Sequence, residues 1–133
     1  MPNIVYFEIP ADDVARARQF YQSVLGWKIE QTRGPPEPEA IAAMEYHDID
    51  TGDAGEGGLT KGGLYRRQTS ELITDHVAVD DIYGVLAKVE KAGGRILVPT
   101  MKITGVGLNA IIQDTEGNSI GLVQSETGRF SDV

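Results

Sequence analysis

Slid against itself by 68 positions, the 133-residue chain matches without a gap. A chain that repeats at such a period builds two copies of one supersecondary unit and buries them against a shared scaffold. Asp12-Asp13 falls on Asp80-Asp81 and Gly26 on Gly94. The apolar positions follow: Ile9 lands on Val77, Val14 on Ile82, Ala17 on Val85 and Ile29 on Leu97. The agreement is of residue type and punctuation more than of identity.

Each copy opens with a short β-prone run, residues 3–9 and 72–79, with partial alternation of apolar and polar positions. An Asp pair follows, suited to cap a helix because its carboxylates accept the orphan N–H groups of a first turn. Helical spacing comes next. Ala17, Phe20, Tyr21, Val24 and Leu25 form an apolar stripe in the first copy, and Ile82, Val85, Leu86, Val89 and Ala92 form one in the second. Gly26 and Gly93-Gly94 then supply the left-handed turn that ends each helix.

Three strand-like runs complete each copy, at 27–31, 44–51 and 58–65, then at 95–98, 108–113 and 118–124. Residues 33–40 carry three prolines and read as a surface loop, and residues 114–118 read as a hairpin turn. The expectation is an α+β fold of two βαβββ modules with two four-stranded sheets. It forms a single domain over residues 1–126, with module 1 at 1–67, module 2 at 68–126 and a polar tail at 127–133.

Charge narrows the partners. Lys plus Arg is 12 against 20 for Asp plus Glu, a net of −8, which repels phosphate backbones and anionic lipid. No nucleic-acid or membrane role is expected. The absence of Cys excludes disulfides, thiolate metal sites and Cys nucleophiles. With no apolar run of membrane length and no leader-like N-terminus, the expected setting is the cytoplasm.

Five stretches carry a resemblance: F-E-I-P-A-D-D at 7–13, F-Y-Q-S-V-L-G-W at 20–27, V-D-D at 79–81, A-G-G at 92–94 and D-T-E-G-N-S-I-G-L at 114–122. In these the chain resembles the vicinal oxygen chelate superfamily of glyoxalases, bleomycin-resistance proteins and extradiol dioxygenases. The resemblance implies sheets curled around a cleft, a homodimer, and module exchange between subunits in some members. It also implies one divalent metal, held by a ligand from the first and last strand of each module and acting as a Lewis acid on vicinal substrate oxygens. Carried over by spacing, the four ligand positions fall on Tyr6, Thr74, Gly121 and either Gly58 or Leu59. Glycine offers no donor, and neutral hydroxyls are poor ligands for zinc, nickel, manganese or iron. Neither a metal nor any other cofactor is therefore expected.

Side chains two apart on a strand share a face, so Glu8 and His76, themselves repeat mates, follow Tyr6 and Thr74 into the cleft. Two readings stand: an acid–base pair or displaced weak metal site, against a polar pair that satisfies itself between the sheets or a His turned to solvent. Around Glu45-Tyr46-His47, alternation puts Tyr46 on one face and His47 on the other, with His47 facing solvent. Trp27 reads as core, though with Tyr6 and Tyr46 it could also wall an aromatic pocket.

Other motifs fail on context. The G-x-G-x-x-A at 105–110 precedes a strand rather than a helix. The D-x-D of 48–59 lacks the Gly and Glu of a calcium loop, and Gly-rich 52–63 lacks a phosphate-binding lysine motif and reads as a loop beside the cleft. The expected function is metal-independent binding of a small organic molecule, with Tyr6, Tyr46, Thr74 and Gly121 as ligand-binding residues and Glu8 and His76 as the acid–base candidates. The alternative is a lyase or isomerase using Glu8 and His76 or a divalent metal.

Overall fold

The computed structural model describes residues 2–32, 44–52 and 59–126. The proline-rich connection, half of the Gly-rich stretch and the tail at 127–133 lie outside the described residues. Two compact units emerge, Tyr6–Ile73 and Met1–Val5 with Thr74–Val133, the division running through the first strand.

The first unit follows β1 (Asn3–Ala11), α1 (Val14–Leu25), β2 (Lys28–Gln31), β3 (His47–Asp50) and β4 (Lys61–Arg66). Its strands lie in the order β2-β3-β4-β1. β4 returns parallel to β1, with Glu8 opposite Gly63, and the other pairs are antiparallel. The second unit follows β5 (Thr74–Ala78), α2 (Ile82–Val89), β6 (Arg95–Ile103), β7 (Gly107–Gln113) and β8 (Ser119–Ser125). Its order is β5-β8-β7-β6, with β8 parallel to β5 and His76 opposite Gly121. The fold is α+β, and each unit reads βαβββ in chain order with its first strand zipped to its last.

The Asp pairs cap as their chemistry demands. Asp13 accepts from the Arg16 N–H at 3.0 Å and Asp81 from the Gly84 N–H at 3.1 Å. Gly26 ends α1 at φ 71°, and Gly93 takes φ 96° just beyond α2, a region closed to most L-residues.

Ile9, Ala11, Val14, Ile29, Ile49 and Leu64 form the core of the first unit, with Phe7, Ala17, Tyr21 and Trp27 against it. Trp27 is thus core-associated; its ring stacks on Tyr21 with centroids 5.2 Å apart. Val79, Ile82, Ala110 and Leu122 form the second core, flanked by Val77, Val85, Leu86, Leu108 and Ile112.

The apolar stripe expected for α1 needs correction. The helix meets its sheet along Val14, Ala17 and Tyr21, a narrower line than that of α2, and leaves Phe20 56%, Val24 60% and Leu25 52% exposed. Leu97, the repeat mate of buried Ile29, is also exposed. It lies at a register shift of β6, the end strand of its unit's order, which runs on through Pro99 to Ile103, beyond the expected 95–98. An end strand tolerates a residue that cannot donate to a neighbour. Among the described residues no helix is long and apolar enough to cross a membrane.

Candidate ligand site

Because β1 and β4 run side by side in parallel, Gly62 and Gly63 stand beside Phe7 and Glu8. Neither glycine has room for a side chain. A Cβ on Gly62 would lie 2.5 Å from the Phe7 ring, on the core side. A Cβ on Gly63 would lie 1.9 Å from the Tyr46 hydroxyl oxygen and 2.7 Å from that of Tyr6. The glycine pair lets aromatic rings close over the backbone on both faces of the sheet.

Tyr6 and Glu8 are two apart on β1 and share a face, and Tyr46, just before β3, reaches the same place. The Tyr46 hydroxyl donates to Glu8 Oε2 at 2.7 Å and is hydrogen-bonded to the Tyr6 hydroxyl. A phenol carries one proton, so with that of Tyr46 given to Glu8, Tyr6 is the donor to Tyr46. Tyr65, two residues beyond Gly63, stacks on Tyr46 with centroids 6.3 Å apart and rings 12° from parallel.

Burial, reinforced by the negative charge of Glu8, pushes the phenols of Tyr6, Tyr46 and Tyr65 above their ordinary value near 10. The hydrogen bond with Tyr46 opposes this at Tyr6, Arg67 opposes it at Tyr65, and Asp48 adds to it at Tyr6. At neutral pH all three are protonated, so the site presents hydroxyl groups and one carboxylate.

In the second unit His76 is 3% exposed, Thr74 is also buried, and a Cβ on Gly121 would lie 2.1 Å from His76 Nδ1. The imidazole lies over a glycine as Tyr46 does over Gly63. The expected residues thus fall into two groups: Tyr6, Glu8 and Tyr46 in one unit, and Thr74, His76 and Gly121 in the other.

Two expectations change. The first unit's last-strand position is Gly63, since it pairs with Glu8 as Gly121 pairs with His76. Gly58 lies outside the described residues, and Leu59 precedes β4 and is exposed. His47 does not face open solvent: it is half-buried and turns toward α1, where it lines a cavity. The sequence reading overlooked Tyr65 and Asp48. Alternation along β4 from Gly63 to Tyr65 was the available signal for the first.

The four positions that the resemblance assigns to a metal then become Tyr6, Gly63, Thr74 and Gly121, and these residues do not suit a divalent ion. Both glycines lack a donor, the space a ligand side chain would need is filled by Tyr46 and His76, and burial keeps Tyr6 from becoming phenolate. Among the described residues no three His, Asp or Glu gather as a metal site requires.

The model of the bleomycin resistance protein-like N-terminal family matches residues 3–37, which span β1, α1 and β2. Lactoylglutathione lyase of Haemophilus influenzae is 27% identical over 93% of both chains. A methylmalonyl-CoA epimerase structure, in complex with methylmalonyl-CoA and NH4+, superposes with a TM-score of 0.68 over 97% of this chain and 98% of that one, at 16% identity. These likenesses support the vicinal oxygen chelate superfamily. The chain is also similar to the anthracycline biosynthesis protein DnrV of Streptomyces peucetius, 26% identical over 84% of this chain and 43% of DnrV. The chain spans under half the length of several curated relatives it matches. A shared scaffold does not fix chemistry, which depends on the residues each protein places at its site.

Proposed function

We propose that this superfamily member binds a small organic molecule without a protein-held metal, using hydroxyl and carboxylate groups where relatives use ligand side chains. The observation that carries the reading is the Tyr6–Tyr46–Glu8 hydrogen-bond chain closing over Gly63. Tyr6, Tyr46 and Glu8 are the contacts proposed in the first unit, and Thr74, His76 and the bare backbone of Gly121 those in the second. The expected cytoplasmic homodimer, with two modules as one domain, belongs to the same proposal.

A second reading draws on the 2.7 Å bond between Tyr46 and Glu8. That bond is a ready path for a proton, and Glu8 and His76 are the acid–base candidates of an isomerase or lyase, as the names of the epimerase and lyase matches suggest. The readings separate on Glu8→Gln and His76→Asn. A thermal-shift screen of small organic molecules identifies a ligand, and both variants are then titrated with it. Under the binding reading affinity falls, by about tenfold per lost hydrogen bond, and no compound is turned over. Turnover of a screened compound that drops roughly 10²–10⁴-fold in both variants, with the fold intact, would establish the enzyme instead. A screen without hits on the wild-type chain would remove the binding proposal.

A further inference from the structure

On the other face of the same sheet lies a cavity of about 600 Å³, within the range of small-molecule sites. Its walls come from α1 (Val14, Ala15, Arg18, Gln19, Gln22, Ser23) and from Glu45 and His47. Strand alternation makes it distinct from the Tyr6–Tyr46–Glu8 cluster: Tyr46 turns to one face and His47, its neighbour, to the other.

Three features make its lining more than a surface dent. Glu45 holds a left-handed backbone, φ 50°, the one non-glycine with positive φ among the described residues. Such a conformation is sparsely populated outside glycine and persists where the surrounding structure over-determines it. From that position the Glu45 carbonyl sits 2.7 Å from His47 Nδ1. A carbonyl only accepts, so Nδ1 carries the proton, and in the neutral ring Nε2 is a bare acceptor. Among the described residues Nε2 has no hydrogen-bond partner. Finally, the half-buried Arg18 has its Nε–H tied back to Gln22 Oε1 at 2.8 Å. That bond fixes the guanidinium and leaves its terminal N–H groups to hold an oxyanion in a planar fork.

We propose that this cavity is a second binding site for an organic acid with a hydroxyl or N–H group near its carboxylate. Arg18 takes the carboxylate, His47 Nε2 accepts the hydrogen bond from the neighbouring donor, and Val14 with Ala15 receives the apolar part. Glu45, held at 3.8 Å from Arg66, is a positioning residue that sets the tautomer of His47.

Mandelate carries all three features, phenylacetate lacks the hydroxyl and 1-phenyl-1,2-ethanediol lacks the carboxylate. Titrated into the ¹⁵N-labelled full chain, mandelate shifts the Arg18 Nε, Gln22 and His47 signals and binds at least tenfold more tightly than either analogue. Arg18→Gln abolishes the mandelate response, and His47→Phe reduces mandelate to the level of phenylacetate. Independently, the imidazole ¹⁵N shifts of the neutral ring report Nδ1–H for His47. Equal binding of the three compounds, no response at these residues, a response that survives Arg18→Gln, or an Nε2–H tautomer would overturn the proposal. Mandelate leaves the Tyr6 and Thr74 amide signals in place, so binding at the other site does not imitate binding at this one.

Discussion

The two units share a skeleton and a register, yet they fill one equivalent place in different ways. In each, the first strand sets a repeat mate opposite a glycine of the last strand: Glu8 opposite Gly63 and His76 opposite Gly121. In the second unit, the imidazole of that mate itself covers the glycine. In the first, a phenol from just before β3 covers it, and the mate, Glu8, accepts a hydrogen bond from that phenol. A duplicated fold keeps backbone register because pairing and core burial depend on it. The side chains over the register-bearing glycines are free to diverge, and here they have.

The largest effect separates the helices. Ile82→Ala removes a side chain that is 0% exposed and should cost about 3–4 kcal/mol in chemical denaturation, whereas Phe20→Ala, on the outward side of α1, should cost under about 0.5 kcal/mol. Equal losses would mean that α1 is buried as α2 is.

The glycines come next. Gly121→Ala should cost about 3 kcal/mol, because the His76 ring is enclosed and has nowhere to move. Gly63→Ala should cost about 1–2 kcal/mol, since the obstacle there is the far end of the half-buried Tyr46. Gly63→Ala should cost less in a Tyr46→Ala background than in the wild-type chain. An equal cost in both backgrounds would show that the phenol is not what closes the site.

Smaller still is Tyr46→Phe, about 1–2 kcal/mol for the hydrogen bonds it removes. It carries a pH signature. The folded-state pKa values of Tyr6 and Tyr46 lie above the unfolded value near 10, so their contribution is whole below pH 10 and is lost as pH rises beyond it. Tyr46→Phe should therefore flatten the alkaline decline of the melting temperature, and a decline as steep as wild type would place its cause elsewhere. At the other extreme, Asp114 accepts from the Glu116 and Asn118 N–H groups in the β7–β8 turn of the second unit. Those bonds, with that of Asn118 foremost, hold its carboxyl below the usual carboxylate range. Its contribution is present above the ordinary value and fades as pH falls below it, so Asp114→Asn should slightly flatten the acid limb.

The 68-residue offset made much of this legible. It identified both Asp caps, both core-facing strand starts and the pairing of Glu8 with His76 as mates. It failed at Gly63, which lies 58 residues before Gly121 rather than 68. The connections between β2 and β4 are longer in the first unit than their counterparts in the second, so a gap-free offset cannot hold past β2. Tyr46 could be assigned a face by alternation, but not a hydrogen bond to Glu8, because that contact depends on how β3 packs beside β4 and β1. The exposure of Phe20 was hidden for a related reason: spacing shows that a stripe exists, whereas the packed sheet decides how much of it is covered.

The central claim is that phenol hydroxyls and an imidazole stand where a cation-binding scaffold would place its ligands. Titration calorimetry with nickel, zinc and manganese on the purified chain, alongside its elemental content, tests this directly. The account predicts no stoichiometric ion and no saturable heat. One equivalent of tightly bound metal, released by substitution of Tyr6 or Thr74, would contradict it.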